Sequence, residues 1–188
     1  MIVKVSPIDA PSVLDLPYLQ RPDVVLRREF LDRPKVDELI SGCDVFMSLH
    51  RSEGFGLMLA EAFALGRVGL ATGWSGNLDF MSGLDGCLAP GTLVQVRDRS
   101  GLYRPAPGVM WMEPDIDAAA LLLRRLFLDA DLCKRLAAQG AQAVAAQCAA
   151  WRPEQLESSG LHQWSRAHAG SARARPSCGR SIGSQTRG

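Results

Sequence analysis

Residues 43–81 contain two strand–loop–helix patterns in immediate succession, and this stretch limits the possible folds more than any other part of the chain. Compact apolar runs at 44–49 and 68–72 predict two strands, and each run leads through a glycine-containing loop into a helical pattern. Consecutive units of this kind place their strands side by side and parallel, joined by right-handed crossovers. The first run lacks alternation, which predicts a strand buried on both faces. The sequence therefore predicts an α/β fold with a parallel sheet and helices on both faces of it.

The flanking sequence adds further elements to this fold. Apolar spacing and the positions of proline and glycine predict a short N-terminal strand, a helix, a turn-rich segment with short strands, and two closing helices. These elements are expected at 1–6, 34–42, 83–110, 115–128 and 131–148. Either Asp115 or Asp117 is expected to stabilise the start of the helix at 115–128, because carboxylates favour helix N-termini.

The composition changes near residue 150. The chain has 188 residues, of which 47% are apolar, and this is ordinary for a globular protein of about one domain. The pattern changes after about residue 151, and residues 165–188 are mostly serine, alanine, glycine and arginine without apolar periodicity. We therefore expect one folded domain over residues 1–150 and a low-complexity, disordered tail over residues 151–188.

Charge and cysteine usage exclude several classes of function. The net charge is only +1, so the chain offers no basic field for a nucleic acid, and we expect no nucleic-acid partner. The five cysteines form no C-x-x-C pair and lie apart from the three histidines, so we expect no metal site. Scattered thiols and the lack of a signal peptide or a long apolar run predict a cytoplasmic protein.

The loop after the first strand of this pair carries the residues most suited to bind a ligand. It covers residues 51–56, directly after His50, and opens a helix predicted over 57–65 that contains Glu61. Ligands of parallel sheets bind at such strand ends, and a helix N-terminus favours phosphate. Gly54 and Gly56 allow the backbone to approach a ligand closely. Carboxylates accept hydrogen bonds from vicinal hydroxyls, so Glu53 and Glu61 are candidates to bind sugars.

A second loop, with Ser75, Gly76 and Asn77, follows the next strand and would line the same crevice. Asn77 or Ser75 could instead simply cap the helix that follows. A dinucleotide-binding motif is the competing interpretation of the glycines in the first loop. It lacks its third glycine, because position 59 is Leu, and no Walker-type Gly-Lys-Ser/Thr follows either. An oxidoreductase half-domain therefore remains a weaker alternative.

Residues 43–81 closely resemble the C-terminal domain of group 1 glycosyltransferases of the GT-B fold. The hallmark of that family is a pair of glutamates eight positions apart, the first in a Glu-Gly-Phe-Gly-Leu motif, and here these are Glu53 and Glu61. Weaker similarity extends over about 1–150. The matching segments are 43–46, 48–57, 61–66, 70–72 and 75–77. The resemblance implies one Rossmann-like half of a GT-B enzyme.

The resemblance also implies a reaction and a set of roles. Such enzymes transfer a sugar from a nucleotide-diphosphate sugar to an acceptor, usually with retention and without a bound metal or cofactor. Glu53 would hold the donor sugar near the reacting carbon, and Glu61 would bind the ribose. The remaining substrate-binding candidates are Gly54, Phe55, Gly56, Leu57, His50, Arg51, Ser75, Gly76 and Asn77.

In that family the acceptor binds mainly to a separate N-terminal domain, and the resemblance leads us to expect that residues 1–150 correspond to the C-terminal domain without its opening strand and helix. The sequence-based expectation is therefore a donor-binding half, with the N-terminal domain supplied elsewhere and the acceptor a glycan, lipid or protein. Peripheral contact with the inner membrane face is compatible with this role. The alternative is a catalytically inactive truncated remnant, or a nucleotide-binding interaction module.

Overall fold

The computed structural model describes residues 1–5, 16–97 and 107–151. The chain divides into two compact units, Met1–Ala145 and Ala146–Gly188. The architecture below concerns the first unit, together with the end of the last helix. The tail predicted for 151–188 lies outside the described residues except for Trp151, and so does part of the turn-rich segment predicted for 83–110.

Strands and helices alternate through most of the first unit. The strands are β1 (Ile2–Lys4), β2 (Val25–Arg27), β3 (Val45–Ser48), β4 (Val68–Thr72), β5 (Leu88–Ala89), β6 (Gly91–Gln95) and β7 (Met110–Pro114). The helices are α1 (Arg33–Ser41), α2 (Leu57–Ala64), α3 (Leu78–Met81), α4 (Ile116–Leu128) and α5 (Ala130–Ala150). A 3-10 helix at Pro17–Gln20 precedes β2.

The strands on either side of α2 and of α3 pair in parallel. β1 pairs with β2, and β4 lies between β3 and β5 in a three-stranded parallel sheet. The β3–β4 register sets Val45 opposite Val68 and Ser48 opposite Ala71. β6 and β7 form an antiparallel pair. The predicted α/β class and the parallel pairing of the two central strands are therefore confirmed, although the parallel strands are divided between two small sheets.

Burial of the central strands differs from the prediction in one respect. All five residues of β4 are buried, because it is bonded on both sides and packed against helices. β3 was expected to be buried on both faces, but Met47 is 40% exposed and its other residues are only partly buried. Within the described residues β3 is bonded to β4 alone, so it is an edge strand and one flank remains open.

The core forms where α2, β4 and α5 meet, and Phe63 on α2 lies at its centre, fully buried. Its ring packs edge-on against Phe80, with centroids 6.4 Å apart. Gly140 of α5 also lies so close to Phe63 that a β-carbon at that position would overlap the Phe63 ring. This contact lets the long helix pack tightly over the core.

The structure at the start of α4 shows which of the two candidate aspartates, Asp115 or Asp117, caps the helix. Asp115 precedes the helix and its side chain accepts a hydrogen bond from the backbone N–H of Ala118 at 2.9 Å. Asp117 lies in the first turn. Asp115 is therefore the N-cap.

None of the helices in the described residues combines the length with the apolar character that a membrane-spanning helix requires.

Candidate functional site

Two loops meet at the carboxyl ends of the adjacent strands β3 and β4. The first loop covers residues 49–56 and the second loop covers residues 73–77. The backbone N–H of Glu53 donates to Ser75 Oγ at 3.1 Å, and the N–H of Gly76 donates to the Glu53 carbonyl at 3.2 Å. The two loops are therefore joined directly, as their placement after neighbouring parallel strands predicts.

Backbone geometry at the junction depends on two glycines. A β-carbon at position 76 would overlap the carbonyl oxygen of Gly54, so the backbones of the two loops are in contact. Gly56 has φ +87°, a conformation that side chains rarely adopt. Ser75 is a non-glycine residue with φ +82°, and its hydroxyl bonds to the first loop. Strained residues of this kind often cluster at ligand sites.

His50 and Asn77 form a partly buried hydrogen-bond network below the junction. The Asn77 amide nitrogen donates to the Thr72 carbonyl at 3.1 Å, which leaves its oxygen facing His50. His50 Nε2 lies 3.2 Å from that oxygen and 3.1 Å from the Trp74 carbonyl. Both are acceptors, so Nε2 carries the proton, and Nδ1 can accept from the Ser48 hydroxyl at 3.2 Å.

The alternative role considered for Asn77, capping of the helix that follows, is not observed. The residue does stand directly before α3, but its side chain makes no capping bond to that helix. It is fully buried and points toward Thr72 and His50. The hydroxyl of Ser75 likewise bonds across to Glu53. Both side chains therefore hold the loops together and do not cap the helix.

Glu53 folds back over its own loop. One carboxylate oxygen accepts from the N–H of Gly54 at 2.9 Å, and its Cγ lies beside Gly56. The side chain is partly buried. This position keeps the carboxylate at the turn into α2, next to the start of the helix.

The N-terminus of α2 is available to an anion. Gly56 precedes it and supplies no side-chain cap, and the first bond within the helix runs from Ala60 N–H to the Gly56 carbonyl. Leu57 is 64% exposed and Met58 41%, so one side of the first turn faces solvent, while Leu59 and Ala60 are buried. The ring of Phe55 packs against Phe80 with centroids 5.0 Å apart, so only its backbone belongs to the rim of this helix end. Free N–H groups and the helix dipole favour a negative group here.

Glu61 lies in the second turn of α2 and contacts a residue that sequence reasoning did not select. Arg33, the first residue of α1, donates from Nη1 to Glu61 Oε1. Its Nη2 lies 2.8 Å from Asp37 Oδ1. The second oxygen of Glu61 is buried and has no hydrogen-bond partner within the described ranges. Arg33 is 28 positions from Glu61, and no local spacing in the sequence could have indicated the contact.

Arg51 is directed away from the other candidates, toward β7. Its guanidinium forms two bonds to the Glu113 carboxylate, at 2.7 and 2.8 Å, and lies 4.8 Å from the centroid of the Trp111 ring. The Arg51 carbonyl also accepts from the Met112 N–H. Arg51 therefore anchors the first loop to the β6–β7 hairpin.

The predicted site residues thus fall into three groups. Direct contacts join one group across the two loops: His50, Glu53, Gly54, Gly56, Ser75, Gly76 and Asn77. Phe55 and Leu57 flank the helix start with an inward ring and an exposed side chain. Glu61 and Arg51 belong to separate ion pairs.

Two other features of the surface bear on ligand binding. An open groove between β2 and α1 is lined in part by Arg27, Glu29, Lys35 and Glu38, and includes none of the predicted site residues. Among the residues that the structure describes, no three histidine, cysteine or acidic side chains are grouped as metal ligands would be.

No protein-family model matches this chain, and no curated protein is significantly similar to it.

Proposed function

We propose that the two loops bind a nucleoside diphosphate sugar, and that residues 1–150 act as the donor-binding half of a retaining glycosyltransferase. In this proposal the domain is one Rossmann-like half of a GT-B fold. The observation that supports it best is the direct junction of two polar loops at the carboxyl ends of β3 and β4. Ligands of open parallel sheets bind at that end of the strands.

The diphosphate would lie at the start of α2. The first turn of this helix is exposed at Leu57 and Met58 and has no side-chain cap, so its N–H groups are candidates to bind phosphate oxygens. Gly54, Gly56 and Gly76 carry no side chains that would keep the ligand away from the loop backbone.

The two glutamates would bind the hydroxyl-bearing parts of the donor on either side of the diphosphate. Glu53 lies at the turn into α2, and Glu61 lies one turn further along the same helix. An ionised carboxylate accepts hydrogen bonds from vicinal hydroxyls. We therefore propose that Glu53 binds the transferred sugar and Glu61 the ribose.

In the proposed reaction the acceptor oxygen bonds to the anomeric carbon on the face from which the diphosphate leaves, and an oxygen of the leaving diphosphate takes up the hydroxyl proton. The leaving diphosphate takes the electron pair, and the helix N-terminus stabilises its charge. Glu53 contributes by orienting the sugar, and no protein nucleophile is needed. The acceptor would bind to a second, N-terminal domain of the GT-B type, and the reaction requires no metal.

Calorimetric titration of the purified chain with uridine, guanosine and adenosine diphosphates tests the proposal. We expect one of them to bind, and Glu61→Ala to weaken it by roughly tenfold, the scale of a lost hydrogen bond to a charged group. Glu29→Ala is the matched control, because it removes an exposed carboxylate that lies outside both loops.

The outcome with the control decides where the ligand binds. If Glu29→Ala weakens binding and Glu61→Ala does not, the ligand occupies the groove between β2 and α1 and the proposed site is wrong. If none of the three nucleotides binds, the proposed function is wrong. Nucleotide binding without sugar transfer after addition of a GT-B N-terminal domain would favour an interaction module.

A further inference from the structure

We propose that Arg33 is a positioning residue of this site, which fixes the Glu61 carboxylate in the orientation that reads the ribose hydroxyls. This inference rests on the proposed function, since it assigns a task to a residue that contacts the proposed ribose ligand. Arg33 itself is not a catalytic residue.

The guanidinium of Arg33 contacts carboxylates on two helices. Arg33 uses Nη1 for Glu61 on α2 and Nη2 for Asp37 on its own helix. Asp37 is four residues further along α1, so the two side chains lie on one face of the helix. The guanidinium is planar and rigid, and a hydrogen bond on one nitrogen together with an ion pair on another restricts its position. Glu61 Oε1 is therefore held at a defined point.

The two oxygens of the Glu61 carboxylate differ in their hydrogen bonding. Oε2 is buried and lacks a hydrogen-bond partner among the described residues, whereas Oε1 is bonded to Arg33. A buried acceptor without a donor is unfavourable. A ligand hydroxyl would supply the missing donor. Because Arg33 fixes one oxygen, the direction of the other is determined as well.

The positive charge of Arg33 also affects how an anionic ligand approaches Glu61. A nucleoside diphosphate is an anion, and Glu53 and Glu61 are acidic groups on the segment proposed to bind it. Hydrogen bonds from Arg33 to Glu61 and Asp37 raise the pKa of Arg33 still further above its usual range, so it stays charged at every working pH. It offsets the charge of Glu61 where the ligand approaches. The pair is largely exposed on the arginine side, where ion pairs contribute little to folding stability.

A purely structural clasp between α1 and α2 is the competing role. Loss of such a clasp would weaken all nucleotides by the same factor, or lower the melting temperature without changing selectivity. A positioning role predicts a change in selectivity for the 2′-hydroxyl, which a clasp does not affect. The ratio of affinities for a ribonucleotide and its 2′-deoxy counterpart is therefore the decisive measurement.

The experiment measures dissociation constants of the best-binding nucleoside diphosphate and of its 2′-deoxy form. We expect the wild-type chain to prefer the ribonucleotide by roughly tenfold, and Glu61→Ala to lose that preference. Arg33→Ala should reduce the preference severalfold, and Arg33→Lys should retain part of it. Arg135→Ala, which removes an exposed arginine of α5, is the matched control and should leave the ratio unchanged.

Asp37→Asn is a second test in case the Arg33→Ala variant does not fold, because it weakens only the ion pair between Arg33 and Asp37. It should lower the ratio less than Arg33→Ala does, with an unchanged melting temperature. An equal loss for both nucleotides in the Arg33 variants, or an unchanged ratio, overturns the role of Arg33 and leaves the proposed function standing. A wild-type chain that binds the two nucleotides equally also overturns it. A chain that binds no nucleoside diphosphate overturns the proposed function itself.

Discussion

At the scale of single residues, Gly140 makes the contact most sensitive to size. A helix interior normally gains about 0.5–1 kcal/mol when glycine is replaced by alanine, because alanine loses less backbone entropy. Here the added methyl group would overlap the ring of Phe63, which has no room to move in the core. Helix propensity and packing therefore predict opposite signs for the same substitution.

We expect packing to prevail, so that Gly140→Ala destabilises the protein by about 1–3 kcal/mol, the usual cost of overfilling a core. Urea denaturation monitored by circular dichroism measures the difference. Gln139→Ala, at an exposed neighbouring position of α5, is the control and should be nearly neutral or slightly stabilising. A more stable Gly140→Ala variant would mean that Phe63 and α5 are not in contact as described.

The site residues show how far local patterns can reach. Gly54, Gly56 and Asn77 follow strands at recognisable loop positions, so the sequence could predict that they would meet. The side chain of Asn77 could not be predicted, because its partner His50 is 27 residues away and only the β3–β4 pairing brings them together. Arg33 was missed for the same reason, since an ion pair between two helices has no characteristic spacing.

At the scale of elements, α2, β4 and α4 lie within one or two residues of their predicted bounds. Each of them carries its own start or stop signal: the glycines at 56 and 66, and Asp115. β6 falls in the segment predicted as turns with short strands, whereas β7, at Met110–Pro114, lies almost entirely beyond that segment and was not predicted. The pairing of β6 with β7 depends on contacts between residues 91–95 and 110–114, which are separated along the chain and lack alternation.

The cap of α4 permits a test at this scale. Asp115→Ala removes the hydrogen bond to the Ala118 N–H and should destabilise the protein by about 1 kcal/mol. Asp117→Ala removes a carboxylate from the first turn without removing the cap, and should cost about 0.5 kcal/mol or less. Thermal or urea denaturation of both variants measures the two losses. Equal losses would contradict the assignment of Asp115 as the cap.

At the scale of the whole molecule, a cysteine in the core makes the free energy of unfolding depend on pH in the alkaline range. Burial, with a smaller contribution from Cys133, raises the pKa of the Cys87 thiol from 9.0 to about 12. The folded chain therefore retains this proton at pH values where the unfolded chain has lost it. The contribution of the neutral thiol is complete below pH 9.0 and is lost as the pH rises toward 12.

We expect the free energy of unfolding to fall above pH 9.0, with Cys87 contributing up to about 1.4 kcal/mol for each pH unit. Other groups titrate in the same range, so the comparison is with Cys87→Ala, which should lose less stability between pH 8 and about 10.5. Urea denaturation at the two pH values measures the difference. Parallel losses in the two proteins would show that Cys87 does not titrate in this way.

The arrangement of the strands in sheets could be predicted only in part from the sequence. Parallel pairing of β3 and β4 follows from the strand–loop–helix order. The separation of β1–β2 from the three-stranded sheet, and the open flank of β3 at Met47, depend on how distant segments meet. Apolar content alone could not distinguish an edge strand from a central one.

The junction between the two loops also affects how the site can move. The Glu53 N–H bonds to the second loop, and the Gly76 N–H bonds back to the first. Neither amide can reach solvent unless the loops separate, so we expect both to exchange hydrogen for deuterium in one shared opening event. A ligand held by either loop would therefore slow exchange in both. We therefore expect the two loops to open and close together, although Glu53 and Ser75 are twenty-two positions apart along the chain.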